Sequence, residues 1–272
     1  MAVDYTRALV AGDLEPVLAA WHRGGAARRR LVERLAPQAL RWGEVLVAGP
    51  EEARRLAATL LGAWEGDPEP ALELLRGLAA DPDGRTRELA ARAVGGLLAQ
   101  RFAETFPVLG AWRGDPSPAV RRAVVLAVGA GARAERLDWA APLLELLAPL
   151  LSDRAPEVRA VLGPRVLAHD LFSTYPDDTF EYLAHWSTSY DQQVLWHVAM
   201  ALSGPPAAQR VRRSLILLRR LALDERRYVL GAVTAALRRL GKLAPDPVLS
   251  ELKRWLSDED RAPVARSVLG KF

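Results

Sequence analysis

Along most of the chain, apolar side chains recur at intervals of three and four residues, as in helices that bury one broad face. The run Leu143, Leu144, Leu146, Leu147 and Leu150 is the clearest case, and the stretches from Ala71 to Ala79 and from Ser214 to Leu223 repeat it. No stretch shows the alternation of a strand. Short turns rich in aspartate and proline follow such helices: Asp81-Pro-Asp83, Asp115-Pro-Ser-Pro118 and Asp153-Arg-Ala-Pro156. Aspartate in these turns can cap the next helix, and proline suits its first turn.

The turns keep a register. Anchors at Asp81, Asp115, Asp153, Ser189, Asp224 and Asp258 are separated by 34, 38, 36, 35 and 34 residues, with a degenerate copy near Ala48. Arginine follows the anchor by six residues at Arg87, Arg121 and Arg159. Tryptophan precedes it by three at Trp112, Trp186 and Trp255, where Leu78, Leu150 and Leu221 stand in other repeats. A helical pair of this size cannot bury its apolar faces alone, so neighbours must stack into a continuous core. These features predict an all-α solenoid, an α-α superhelix of six or seven HEAT-like pairs in a single domain, 1–272. Residues 1–47 form a helical cap, with helices near Tyr5 to Val10, Leu14 to Trp21, Ala26 to Leu35 and Gln38 to Val47. The repeats occupy 48–272.

Composition narrows the chemistry. The chain has no cysteine, which excludes disulfides and thiolate sites. No apolar run approaches the roughly 18 residues needed to span a bilayer, and Asp4, Asp13 and Glu15 do not suit a signal peptide. A cytoplasmic monomer without membrane association is expected. The four histidines, His22, His169, His185 and His197, lack a second ligand at zinc spacing apart from the weak pair Glu181 and His185. No phosphate-binding loop, dinucleotide fingerprint or nucleophile elbow occurs, so neither a cofactor nor a metal is expected.

Charge is unevenly distributed. The net charge is +4, and all basic residues but Lys242, Lys253 and Lys271 are arginine. From Pro205 to Lys242 ten basic residues face two acidic ones, a local net of +8 that leaves the remainder at −4. Arg212 with Arg219, and Arg213 with Arg220, lie seven apart on one helix face, and Arg227 with Arg238 eleven apart on the next. A second cluster comprises Arg23, Arg28, Arg29, Arg30, Arg34 and Arg41. Such stripes form either a phosphate-binding track or a solvated face. The repeated arginines and tryptophans also have structural readings, as ion-pair ladder and core. Trp42, Trp139 and Trp196 lie outside the repeat pattern.

Three segments lie within residues 100–203: TFPVLGAWRGDPSPAVRRAVVLAVGAGARAERLDWAAPLLELL, LLSDRAPEVRAVLGPRVLAHDLFSTYPDDTFEYLAHW and VLWHVAMAL. In motif and order they resemble the HEAT-like alkylpurine DNA glycosylases of bacterial alkylation repair. The resemblance implies a concave face that holds a DNA backbone, with Arg121, Arg122, Arg159, Trp139 and His197 at matching positions. Val125, Leu126 and Val128 stand where that family carries a carboxylate, leaving Asp170 and Glu88 beside Trp139 as the candidate catalytic groups. A cationic transition state requires an oriented negative charge. Binding is therefore expected over catalysis: a DNA-binding protein using Arg122, Arg165, Arg212, Arg213, Arg219, Arg220, Arg227 and Arg238. The alternatives are a scaffold for a protein partner and an active glycosylase.

Overall fold

The computed structural model describes residues 4–270, and every regular element among them is helical. Seven pairs follow one another. Their first and second helices are Ala39–Val47 with Glu51–Leu61, Pro68–Ala79 with Gly84–Gln100, and Phe102–Trp112 with Pro118–Gly131. Next come a first helix broken into Leu137–Trp139, Ala140–Leu147 and Ala148–Ser152, with a second beginning at Pro156, then Pro176–Trp186 with Gln192–Ala201. The last two pairs are Val211–Leu221 with Arg227–Leu243 and Pro245–Trp255 with Ala262–Leu269. The chain is all-α and built of HEAT-like helical pairs. It divides into two compact units, one ending at Gly131 and the other beginning at Ala132.

The anchor aspartates close the turns. The carboxylates of Asp81, Asp115, Asp153 and Asp224 each accept the backbone N–H two residues on, at 2.8 Å. Ser189 does the same with its hydroxyl, accepting from the Asp191 N–H at 3.1 Å. The following helix then takes a separate cap: Asp83 accepts from the Thr86 N–H at 2.7 Å and Asp191 from the Gln193 N–H at 2.7 Å. Aspartate thus serves both the turn and the helix start, and proline opens several of the helices.

In unit 1 the helices Tyr5–Val10, Glu15–Arg23 and Gly25–Leu35 precede the pairs, the last two packing on Glu51–Leu61. Trp21 donates its indole N–H to Glu52 across this contact at 2.9 Å. The second helices meet through small residues. A Cβ on Gly62 would stand 2.8 Å from Ala93, and one on Gly95 would stand 2.6 Å from Ala130 and 2.9 Å from the Ala127 carbonyl. The anchors also receive arginine from the preceding pair. Arg54 forks onto Asp81 at 2.6 and 3.1 Å, and Arg76 reaches Asp115 at 2.6 Å. Arg87 and Arg121 each donate to two backbone carbonyls of their own turn, at 2.7 and 2.8 Å and at 2.8 and 3.2 Å.

In unit 2 the second helix starting at Pro156 widens into π geometry over Leu162–Leu171. Pro164 sits inside that stretch; it lacks an N–H and its ring crowds the carbonyl four residues back, which a wider turn accommodates. Trp186 and Trp255 are buried at their repeat position, as Trp112 is in unit 1, while Trp139 and Trp42 are buried outside it. Tyr175 is fully buried and accepts the backbone N–H of Arg133 at 3.0 Å.

Candidate functional site

Each sequence-derived candidate sits in a definable local setting. In unit 1, Arg122 projects from Pro118–Gly131 and pairs with Glu88 on Gly84–Gln100. One expected phosphate ligand and one expected catalytic acid thus neutralise each other.

Trp139 closes a 3-10 turn in unit 2 and is only 5% exposed, with the Arg136 guanidinium over its ring at 4.3 Å. Arg136 is held there by a fork onto Asp138, at 2.6 and 2.9 Å, which lowers the Asp138 carboxyl. A ring so covered is poorly placed to stack on an extruded base. Asp170 and Arg165 lie on the π stretch. Burial raises the Asp170 carboxyl above its ordinary range, opposed by the charges of Arg165 and His169.

Six of the eight candidate arginines divide between the two helices of one pair. Arg212, Arg213, Arg219 and Arg220 lie on the first helix Val211–Leu221, whereas Arg227 and Arg238 lie on the second helix of the same pair. The expected spacing on one helix face is realised, but the partners are lateral. Arg213 reaches Glu181 at 2.8 Å and Asp177 at 3.6 Å, with its guanidinium over Phe180 at 4.1 Å. Arg219 donates to Glu251 at 2.7 Å, Arg220 to the Ser187 hydroxyl at 3.0 Å, and Arg238 to the Ser267 carbonyl at 2.7 Å. These bonds tie helix to helix.

Sequence reasoning missed a cluster on three consecutive second helices of unit 2. Arg159 carries the same motif position as Arg87 and Arg121, yet its guanidinium donates outward, to Gln193 at 3.2 Å and to the Tyr228 hydroxyl at 3.3 Å. Tyr228 donates to the same Gln193 oxygen at 2.9 Å, and its ring stacks on Trp196 at 6.0 Å and 14°. With its oxygen so occupied, the Gln193 amide turns its NH2 to His197 Nε2 at 3.2 Å. That nitrogen accepts, so the Nδ1 of neutral His197 carries the proton and finds no partner. The ring is fully buried, and burial lowers its pKa to about 3. It fits only because Gly163 has no side chain; a Cβ there would stand 2.7 Å from Nδ1. Tyr190, in the turn before Gln192–Ala201, is 97% exposed. Only Arg159, Trp196 and His197 stood out in the sequence, each for a different reason, and nothing joined them to a tyrosine 69 residues beyond Arg159.

Among the described residues no three of His, Asp and Glu are grouped as a metal site would need, and no helix is long and apolar enough to cross a membrane. No family model and no curated protein matches this sequence. Several solved structures are similar at low identity. The crystal structure of YibA from Escherichia coli is 17% identical, covering 94% of this chain and 92% of that one, with a TM-score of 0.42. An engineered protein is 17% identical over 96% of this chain and 79% of its own, at 0.36. The complex of CpcE and CpcF of phycocyanin lyase from Nostoc sp. PCC7120 is 18% identical, covering 95% of each chain, at 0.30. At such TM-scores these likenesses lend this chain no property, and kinship with the alkylpurine DNA glycosylases finds no support in them.

Proposed function

We propose that this chain is a helical-repeat scaffold that binds a protein partner through the Arg159, Trp196 and Tyr228 surface of unit 2. One observation carries the reading: the stacked Trp196–Tyr228 pair is held in place by the Arg159–Gln193–Tyr228 hydrogen bonds, with Tyr228 exposed and Trp196 half-buried beside it. Tryptophan, tyrosine and arginine are the residues that most often anchor protein interfaces. Side chains already fixed by one another lose little freedom on binding. Display of a random peptide library on the protein should enrich sequences that bind the natural chain and not the double variant Trp196→Ala, Tyr228→Ala. Enrichment that survives the double substitution would refute this placement of the surface.

Duplex DNA binding is the second reading. It draws on exposed Arg165, Arg212 and Arg227, the last two without an ion pair among the described residues. It predicts anisotropy titrations with a labelled duplex in which affinity is high at low salt and falls steeply as salt rises; absence of binding at low salt removes it. The glycosylase reading has the least geometric support, because Glu88 is held by Arg122 and Trp139 is covered.

A further inference from the structure

The first helices Val211–Leu221 and Pro245–Trp255 flank a cleft of about 400 Å³ on a different part of unit 2. Arg212, Ile216 and Arg219 line one wall, at intervals of four and three residues that place them on a single helix face. Pro247, Glu251 and Arg254 line the other. Ile216 is 62% exposed, an unusual setting for a large aliphatic side chain between two arginines.

The charges in the cleft do not cancel. Glu251 is buried, accepts from Arg219 at 2.7 Å and from the Trp255 indole at 2.9 Å, and is held ionised by these bonds against the opposing effect of burial. Its capacity is thus taken up by Arg219 and Trp255, with Arg254 at 3.4 Å as a long third contact. Arg212 has no ion pair among the described residues, and the Arg254 side chain is 70% exposed. Three guanidiniums face one carboxylate, with Ile216 and Pro247 as apolar patches on the two walls.

We infer that this cleft is a second docking site, one that takes an acidic peptide segment carrying a large aliphatic side chain. The aliphatic group covers Ile216 and Pro247 while flanking carboxylates meet Arg212 and Arg254. Phosphates of a nucleic acid would satisfy the arginines but leave Ile216 unused, so the exposed aliphatic side chain favours a peptide. The inference shares the protein-binding reading above but rests on none of its residues.

Fluorescence anisotropy of the full chain tests it with three labelled peptides: an Asp/Glu-rich segment with a central leucine, the same with serine, and the same with lysines for its acids. A labelled duplex and peptides selected at the Trp196–Tyr228 surface serve as competitors. The acidic leucine peptide should bind. Affinity should fall about tenfold with serine in the peptide or with Ile216→Ser, and at least as far with Arg212→Glu plus Arg254→Glu. Because all three substituted side chains are exposed, circular dichroism should show unchanged helix. Equal binding of the leucine and serine peptides, or an intact Ile216→Ser response, would mean that any anion suffices and overturns the proposal. So would displacement by the selected peptides, which would assign the binding to the other surface. Failure of all three peptides to bind overturns it while leaving the Trp196–Tyr228 surface untouched.

Discussion

Arg121 in unit 1 and Arg159 in unit 2 occupy the same place in consecutive repeats, six residues after an anchor aspartate. Arg121 folds back onto the carbonyls of its own turn, whereas Arg159 reaches to Gln193 and Tyr228 on the next two second helices. The seams between second helices differ in the same sense. Unit 1 closes them with glycine and alanine at Gly62, Ala93, Gly95 and Ala130, while unit 2 opposes Gly163 to a whole imidazole. Unit 1 uses its polar groups to hold the repeat together. Unit 2 keeps the repeat but diverts one arginine, one glutamine and two aromatic rings to a surface network. The proposed surface is thus drawn from the places where unit 2 departs from the pattern of unit 1.

The largest effect should come from filling the tight seam. Gly95→Ala places a methyl carbon against Ala130 and the Ala127 carbonyl, and should lower unfolding free energy by about 3 kcal/mol in denaturant titration. Gly163→Ala should cost less, about 1–2 kcal/mol, if His197 can shift within its pocket. Equal losses would show that the two seams are equally rigid and would erase that part of the contrast.

A second comparison sets a buried anchor against an exposed ladder. Asp81 is 6% exposed and takes the Arg54 fork, so Asp81→Ala should cost about 2 kcal/mol. Glu181→Ala removes the exposed Arg213 pair of unit 2 and should change stability by less than about 1 kcal/mol. Similar losses would mean that the first-helix arginines of unit 2 brace the fold as strongly as the turns of unit 1.

One further contrast is a slope with pH. His197 has its folded pKa lowered from 6.5 to about 3 by burial and by the Arg159 charge, partly offset by Asp153 and Asp191. The unfolded chain therefore binds the extra proton first. This contribution to stability is complete above about pH 6.5 and is lost as pH falls toward 3, by at most about 1.4 kcal/mol per pH unit. Unfolding midpoints measured across that window should flatten in His197→Gln. An unchanged slope would place the titrating group elsewhere.

Much of the fold was legible because it is written in short spacings. The anchor register, the turn aspartates and the buried Trp112, Trp186 and Trp255 all follow from periodicity, and the helix boundaries near Tyr5–Val10 and Gly25–Leu35 came within a residue or so. The candidate site was less legible. Spacing puts Arg212 with Arg219 and Arg227 with Arg238, but cannot say that the two stripes belong to the first and second helix layers of one pair, or that Glu181 and Glu251 lie within reach. Nor can Asp-x5-Arg distinguish an arginine that folds back from one that reaches forward; that depends on what the next two repeats present. The π stretch was equally hidden, since Pro164 alone could as well have ended the helix.

The carboxylates of Asp81 and Asp115, buried beneath arginines supplied by the preceding pair, give the chain a chemical polarity along its length. Deleting the pair that carries Arg54 removes the charge partner of Asp81 and uncovers its carboxylate to water, and deleting the pair that carries Arg76 does the same to Asp115. Cutting on the other side leaves only an arginine, whose partly exposed guanidinium can rehydrate in water. Shortened forms of unit 1 that lose Arg54 or Arg76 therefore keep the turn bonds of Asp81 and Asp115 but lose the tie that joins each turn to the pair before it.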